Sequence, residues 1–161
     1  MPTNFPIPAA ERIREVLTDL MGRPVKVVRT EAADLDGARP GACADYAAGR
    51  GTIGVLCVAD LRLTNTLGAA LTMVAPAVVE DAVAKREIDE STIDNFREVL
   101  NVLTSLFNTA DTAHVTFRDV HRMPAQLPSD TAQLLHAPKA RRDFEVEVEE
   151  YGAGVLTVLV A

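Results

Sequence analysis

The chain has 161 residues, enough for one hydrophobic core and too short for two comfortable domains, so a single domain over residues 1–161 is expected. Hydrophobic residues make up 48% and charged residues 24%, which is ordinary globular usage and excludes a disordered, fibrous or membrane-spanning chain. The formal net charge is −7 and no basic stretch exceeds Lys139–Arg142, so nucleic acid and anionic membrane surfaces are poor partners.

Met1–Pro8 has neither a basic n-region nor an apolar h-region, and the nearly apolar run Leu67–Val79 is short and interrupted by Pro76. A cytoplasmic protein is therefore expected. Cys43 and Cys57 sit in small or apolar surroundings with no C-x-x-C spacing, and read as buried free thiols. No His, Asp or Glu cluster near them has metal-ligand spacing, so no metal site is expected.

Ile7, Ile13, Val16, Leu17, Leu20 and Met21 recur at helical spacing and predict a helix over about Pro8–Met21, with Gly22 as its C-terminal cap. Val25, Val27 and Val28 predict a strand that runs towards a break at Asp36-Gly37 and Pro40-Gly41. Ala42–Ala48 is ambiguous and is expected to be a strand, and Thr52–Leu61 reads as a buried strand. Two helices follow, about Leu63–Ala75 and Ala77–Lys85, and then a long one over about Thr92–Ala110. Val115–Val120 is a short strand, and Met123–Pro138 a loop with a helical turn at Ser129–Leu135.

Phe144, Val146 and Val148 alternate with Glu145, Glu147 and Glu149, which predicts a strand with one buried and one wet face. Tyr151-Gly152-Ala153-Gly154 is expected to turn the chain into a more buried strand, Val155–Val160. The glutamate row could also discourage pairing at a sheet edge. Together these elements predict an α+β, two-layer fold with helices packed on one face of a mainly antiparallel sheet. Arg14-Glu15-Val16-Leu17-Thr18 echoes Arg97-Glu98-Val99-Leu100-Asn101, which would fit pseudo-symmetric halves with the two helices in related places.

At about 100° per residue, Ser91, Asp94, Glu98, Asn101, Ser105 and Asn108 fall within one arc of the Thr92–Ala110 helix. Phe96, Val99, Leu100, Leu103, Leu106, Phe107 and Ala110 form the opposite, apolar face. A polar face of this kind is ordinarily just solvated, and Ser91 with Asp94 has the spacing of a capping box. The composition of the file is unusual, however. Exposed helix faces favour Lys, Arg and Glu, whereas here a carboxylate, Glu98, and a carboxamide, Asn101, stand one turn apart. Asparagine inside a helix costs up to about 0.7 kcal/mol relative to alanine, and a functional demand is one thing that offsets such a cost.

Asp94, Glu98, Asn101 and Pro124 also stand in the spacing of a known signature: Asp or Ser, three residues, Glu, two residues, Asn, twenty-two residues, Pro. In this the chain resembles the CheC/CheX/FliY family of chemotaxis phosphatases, and the order of elements resembles that family over nearly the whole length. One motif instead of two makes it more similar to CheX than to CheC, since Thr18 stands where a second Asn would be. The family often has glycine four residues after the Asn, where this chain has Ser105.

The resemblance implies an enzyme that hydrolyses the aspartyl phosphate of a phosphorylated CheY-like response regulator in chemotaxis or two-component signalling. By that resemblance Asn101 positions the attacking water, and Glu98 reaches the lysine of the regulator's active site. Asp94 orients or caps, and Pro124 shapes a loop. No cofactor of its own is implied, because Mg²⁺ is supplied by the phosphorylated regulator. A homodimer is also implied, for which an exposed C-terminal strand edge would serve. The alternative is a non-catalytic CheC-like interaction module that binds a response regulator or a flagellar switch component, as the middle domains of flagellar switch proteins keep the fold without catalysis.

Other motifs carry less. Gly49–Gly54 matches G-x-G-x-x-G but leads into a strand, where a dinucleotide loop must open a helix, so it reads as a tight turn. His114, His121 and His136 share no ligand spacing with a carboxylate and read as strand or loop histidines. Ser129 reads as a helix N-cap.

Overall fold

The computed structural model describes residues 5–35, 41–49, 51–109, 112–123 and 127–161. In chain order the elements are α1 (Ala10–Met21), β1 (Val25–Thr30), β2 (Ala42–Ala48), β3 (Thr52–Ala59), α2 (Leu61–Leu71), α3 (Pro76–Lys85), α4 (Glu90–Val102), a 3-10 turn (Leu103–Leu106), β4 (Val115–Arg122), α5 (Ser129–His136), β5 (Ala140–Val148) and β6 (Gly152–Val160). Gly22 ends α1 as its spacing predicts, with φ of 67° and its N–H donating to the Thr18 carbonyl.

The described strands form a six-stranded sheet in the order β1-β5-β6-β3-β2-β4, and every neighbouring pair is antiparallel. The fold is α+β, as expected. A helix, an edge strand and a hairpin occur twice: α1-β1 with the β2–β3 hairpin, then α4-β4 with the β5–β6 hairpin. Each edge strand joins the other half's hairpin, β1 on β5 and β4 on β2, and β3 meets β6 at the centre. The two halves are therefore pseudo-symmetric, with α1 and α4 in corresponding places.

The main core lies between the sheet and α1 to α4, and includes Ile13, Leu17, Leu67, Phe96, Leu100, Tyr46, Phe144 and Val158. Strand alternation sends Cys43, Leu56, Val58 and Leu159 to the other face, where α5 covers them with Leu134 and Leu135. The helix layer expected on one face is thus α1 to α4, and short α5 adds a cover on the opposite face. The sequence reading treats this stretch as loop with a turn, because eight residues carry too little periodicity to show a side.

Several local expectations change. The last hairpin turns at Glu149-Glu150-Tyr151, two residues earlier than expected, because Val148 pairs with Gly152 and positive φ falls at Glu150 (75°) and Gly152 (86°). β6 lies between β5 and β3, so the C-terminal strand has no free edge; the edges are β1 and β4. Consequently the Glu145 and Glu147 row faces water from an interior strand and guards no edge. Ser129 is the first helical residue of α5 after Pro128, with no side-chain cap, and His136 is that helix's last residue, not a loop histidine. The Gly49–Gly54 run includes the β2–β3 turn, where Gly51 N–H donates to Ala48 O.

Cys43 and Cys57 are free and buried, on opposite faces of the sheet. No helix among the described residues is long and apolar enough to cross a membrane.

Candidate functional site

α4 begins at Glu90. Its N-cap is Asp89, whose carboxylate accepts the Thr92 N–H at 2.7 Å, and that bond holds the Asp89 carboxyl below its usual range. The Ser91–Asp94 capping box is therefore not formed. Asp94 lies on the first turns of the helix and accepts from Arg97 at 2.8 Å; Arg97 also donates to Asp119 of β4 at 3.0 Å. This chain of charges ties the outer side of α4 to the edge strand. The link to β4 is made by Arg97, with Asp94 as its partner on the same helix.

The buried side of α4 is Ile93, Phe96, Val99 and Leu100, which anchors it on the core. Its flank against α2 is unusually close. A Cβ at Gly68 would stand 2.6 Å from the Thr92 carbonyl oxygen, so only glycine permits this separation. Asn95 reinforces the contact, its amide donating to Gly68 O at 3.0 Å and to Thr72 Oγ1 at 3.2 Å.

The α-helical ladder ends at Val102, with Leu103 N–H donating to Val99 O, and the chain tightens into the 3-10 turn. The 100° periodicity that placed six polar residues in one file ends there too. Ser91, Asp94, Glu98 and Asn101 are exposed on α4, and exposed Ser105 lies on the 3-10 turn, its Oγ donating to Val102 O at 3.2 Å. Asn108 leaves the file. It is half-buried and exchanges hydrogen bonds with the backbone of Val115, 2.7 Å to the carbonyl and 2.8 Å from the N–H, fixing the entry to β4.

Glu98 and Asn101 are thereby brought together, about 4.5 Å apart along the axis by helix geometry. Among the described residues neither side chain has a hydrogen-bond or ion-pair partner. The backbone beneath them is held firmly: Tyr46 of β2, fully buried, donates its hydroxyl to the Leu100 carbonyl at 2.6 Å. Exposed Val102, at 41%, adds an apolar spot beside Asn101. A free carboxylate can take a charge-assisted bond from a partner's cation, and a free carboxamide both accepts from and donates to water and phosphoryl oxygens. Pro124 lies outside the described residues.

A second polar constellation escaped the sequence reading. Asp45 of β2 is fully buried and accepts from Arg118 (2.6 Å), Thr131 Oγ1 (2.8 Å) and the Asp119 N–H (3.1 Å), and the His121 ring nitrogen lies 2.7 Å away. Arg118 also pairs with Asp130 of α5, and these two carboxylates raise its already high pKa, Asp130 first. The signal was a lone aspartate inside the apolar run Ala42–Ala48. The residues fasten α5 to the sheet. The fold gives His121 a carboxylate partner that its sequence position does not show, because Asp45 lies across the β2–β4 ladder.

No protein-family model matches the sequence, and no curated protein does. Solved structures do match in fold. FliY from Thermotoga maritima has a TM-score of 0.61 at 15% identity, covering 94% of this chain and 89% of that one. The CheX-CheY-BeF3-Mg²⁺ complex from Borrelia burgdorferi gives 0.58 at 11% identity, covering 91% and 90%. The FliM-SpeE complex from H. pylori gives 0.63 at 8%, covering 94% and 80%.

In this protein an antiparallel sheet carries a helix layer, and one helix exposes a carboxylate and a carboxamide. Its fold is that of the CheX, CheC-like, FliY and FliM middle-domain structures, matching the resemblance read from the residues of α4.

Proposed function

We propose that this protein is a CheX-like phosphatase that hydrolyses the aspartyl phosphate of a CheY-like response regulator, acting through Glu98 and Asn101. The observation that carries the reading is the Glu98–Asn101 pair, exposed and unpartnered on a helix whose backbone is fixed on its other sides. The fold likeness to CheX in complex with CheY supports a regulator of that class as partner.

An acyl phosphate needs an in-line water more than a strong base, and most catalysis of phosphoryl transfer is positioning with electrostatics. Asn101 accepts a hydrogen bond from the water through its carboxamide oxygen and donates to a phosphoryl oxygen through its amino group. Glu98 pairs with the regulator's active-site lysine and registers the helix over the phosphate. The Mg²⁺ that shields the phosphoryl charge belongs to the regulator. Asp94 acts through Arg97 to orient the helix, and Pro124 is assigned a shaping role.

Both edge strands, β1 and β4, leave room for a homodimer, which the reading includes as a proposal. The second reading is a non-catalytic module that binds a regulator or a flagellar switch component. It is favoured by an equally good fold match to FliM.

The deciding experiment follows loss of the phosphoryl group from a phosphorylated CheY-like regulator. Acceleration by wild type that vanishes in Asn101→Ala, together with weakened binding in Glu98→Ala, upholds the phosphatase. Binding without acceleration by wild type overturns it in favour of the interaction module.

A further inference from the structure

We infer that Tyr46 is a positioning residue for Asn101, its hydroxyl setting the peptide plane from which the carboxamide projects; the inference rests on the phosphatase reading above. The Leu100 carbonyl belongs to the peptide bond that joins Leu100 to Asn101. The α-helical ladder reaches Val99 O as the acceptor of Leu103 N–H and then gives way to the 3-10 turn. Leu100 O is therefore among the carbonyls that a helix end leaves without a ladder partner. In the core such a group must be satisfied from elsewhere, and the Tyr46 hydroxyl supplies the bond at 2.6 Å.

Tyr46 is itself held rigidly. It is fully buried, with Phe107 and Phe117 packed against its ring at centroid distances of 5.1 and 5.8 Å. Both ladders of β2 shift register beside it, between Tyr46 and Ala47 towards β3 and between Asp45 and Tyr46 towards β4. The extra residues stand on the partner strands, Gly54 of β3 and Arg118 of β4, while β2 keeps its alternation. That alternation puts Asp45 on the α5 face and Tyr46 on the α4 face. The hydroxyl thus transmits the position of an interior strand, β2, to the one turn of helix that bears Asn101. Because in-line attack is sensitive to displacement on the ångström scale, loosening this peptide degrades turnover before it degrades docking.

The test is Tyr46→Phe, which keeps the ring packing and removes only the hydroxyl. Turnover of phosphorylated CheY-like regulator should fall about tenfold at saturation with KM nearly unchanged, because Glu98 is untouched. Backbone NMR should show a shifted Asn101 ¹⁵N resonance and several environments for its side-chain amide.

Unchanged turnover would overturn the inference, as would a loss that appears in KM and not at saturation. If wild type shows no phosphatase activity, the parent reading fails separately. The NMR then decides: a single, unaltered Asn101 side-chain environment in Tyr46→Phe overturns the positioning role, and a heterogeneous one upholds it.

Discussion

Gly68 and Thr92 are in contact through their backbones, α2 lying so close to α4 that a methyl group at position 68 would overlap the Thr92 carbonyl oxygen. Gly68→Ala should therefore push α4 outward or strain it, at a cost of about 1–3 kcal/mol for overpacking. Urea denaturation measures the loss. The same variant should lose regulator turnover beyond what its folded fraction explains, since α4 carries Glu98 and Asn101.

Asp45 should prove the most sensitive polar residue. Asp45→Ala leaves Arg118 with Asp130 as its one carboxylate partner and removes the Asp45 acceptor from Thr131 and His121. Breaking a buried charge network costs about 3–5 kcal/mol, here nearer the lower end because Arg118 is one-third exposed. Hydrogen exchange should show α5 amides opening before those of β3, whereas global unfolding would release both together.

Acid should unfold the protein in part through Asp143. Burial by itself would raise this carboxyl, yet hydrogen bonds from Arg141, Thr157 and the Ala33 N–H more than reverse that and leave its pKa lowered. A depressed pKa stabilises the fold above the unfolded carboxyl's value of about 3.9 and ceases to do so as pH falls through the folded value. Between pH 7 and pH 2, urea midpoints of wild type should drop more steeply below about pH 4 than those of Asp143→Asn.

Thiol reactivity should report on opening of the core. Burial pushes the Cys57 thiol up to about 12, partly countered by Tyr46, and burial likewise raises Cys43. Reaction with an aromatic disulfide reagent at pH 8 should be very slow in the native protein and rapid in denaturant. Fast native labelling would contradict the packing of both thiols.

What could be read from sequence was whatever repeats within a single element. The Phe144–Val148 alternation and the Asp94–Glu98–Asn101 spacing are both local, and both placed their residues correctly on a strand face and a helix face, with Glu149 falling in the turn beyond the strand. Helical periodicity failed at Asn108 because tertiary contacts, Tyr46 on Leu100 and Phe107 in the core, end the α-helix at Val102. The Asp45 network joins β2, β4 and α5, and no one-dimensional spacing records such a meeting. The edge position of the C-terminal strand was misjudged for the same reason: pairing of β6 with β3 spans most of the chain.

The exchange of edge strands between the two halves also governs how the molecule must be made. Val25 finds its partner in Val148, so the first strand waits for nearly the last one before it can pair. During synthesis, α1 and β1 emerge with an apolar face and no sheet to receive it. Closing so long a loop precedes any reward from pairing, which places the protein among slow folders of high contact order. A nascent chain halted before residue 140 should remain open to proteases and chaperones, and become resistant only once β5 has cleared the ribosome.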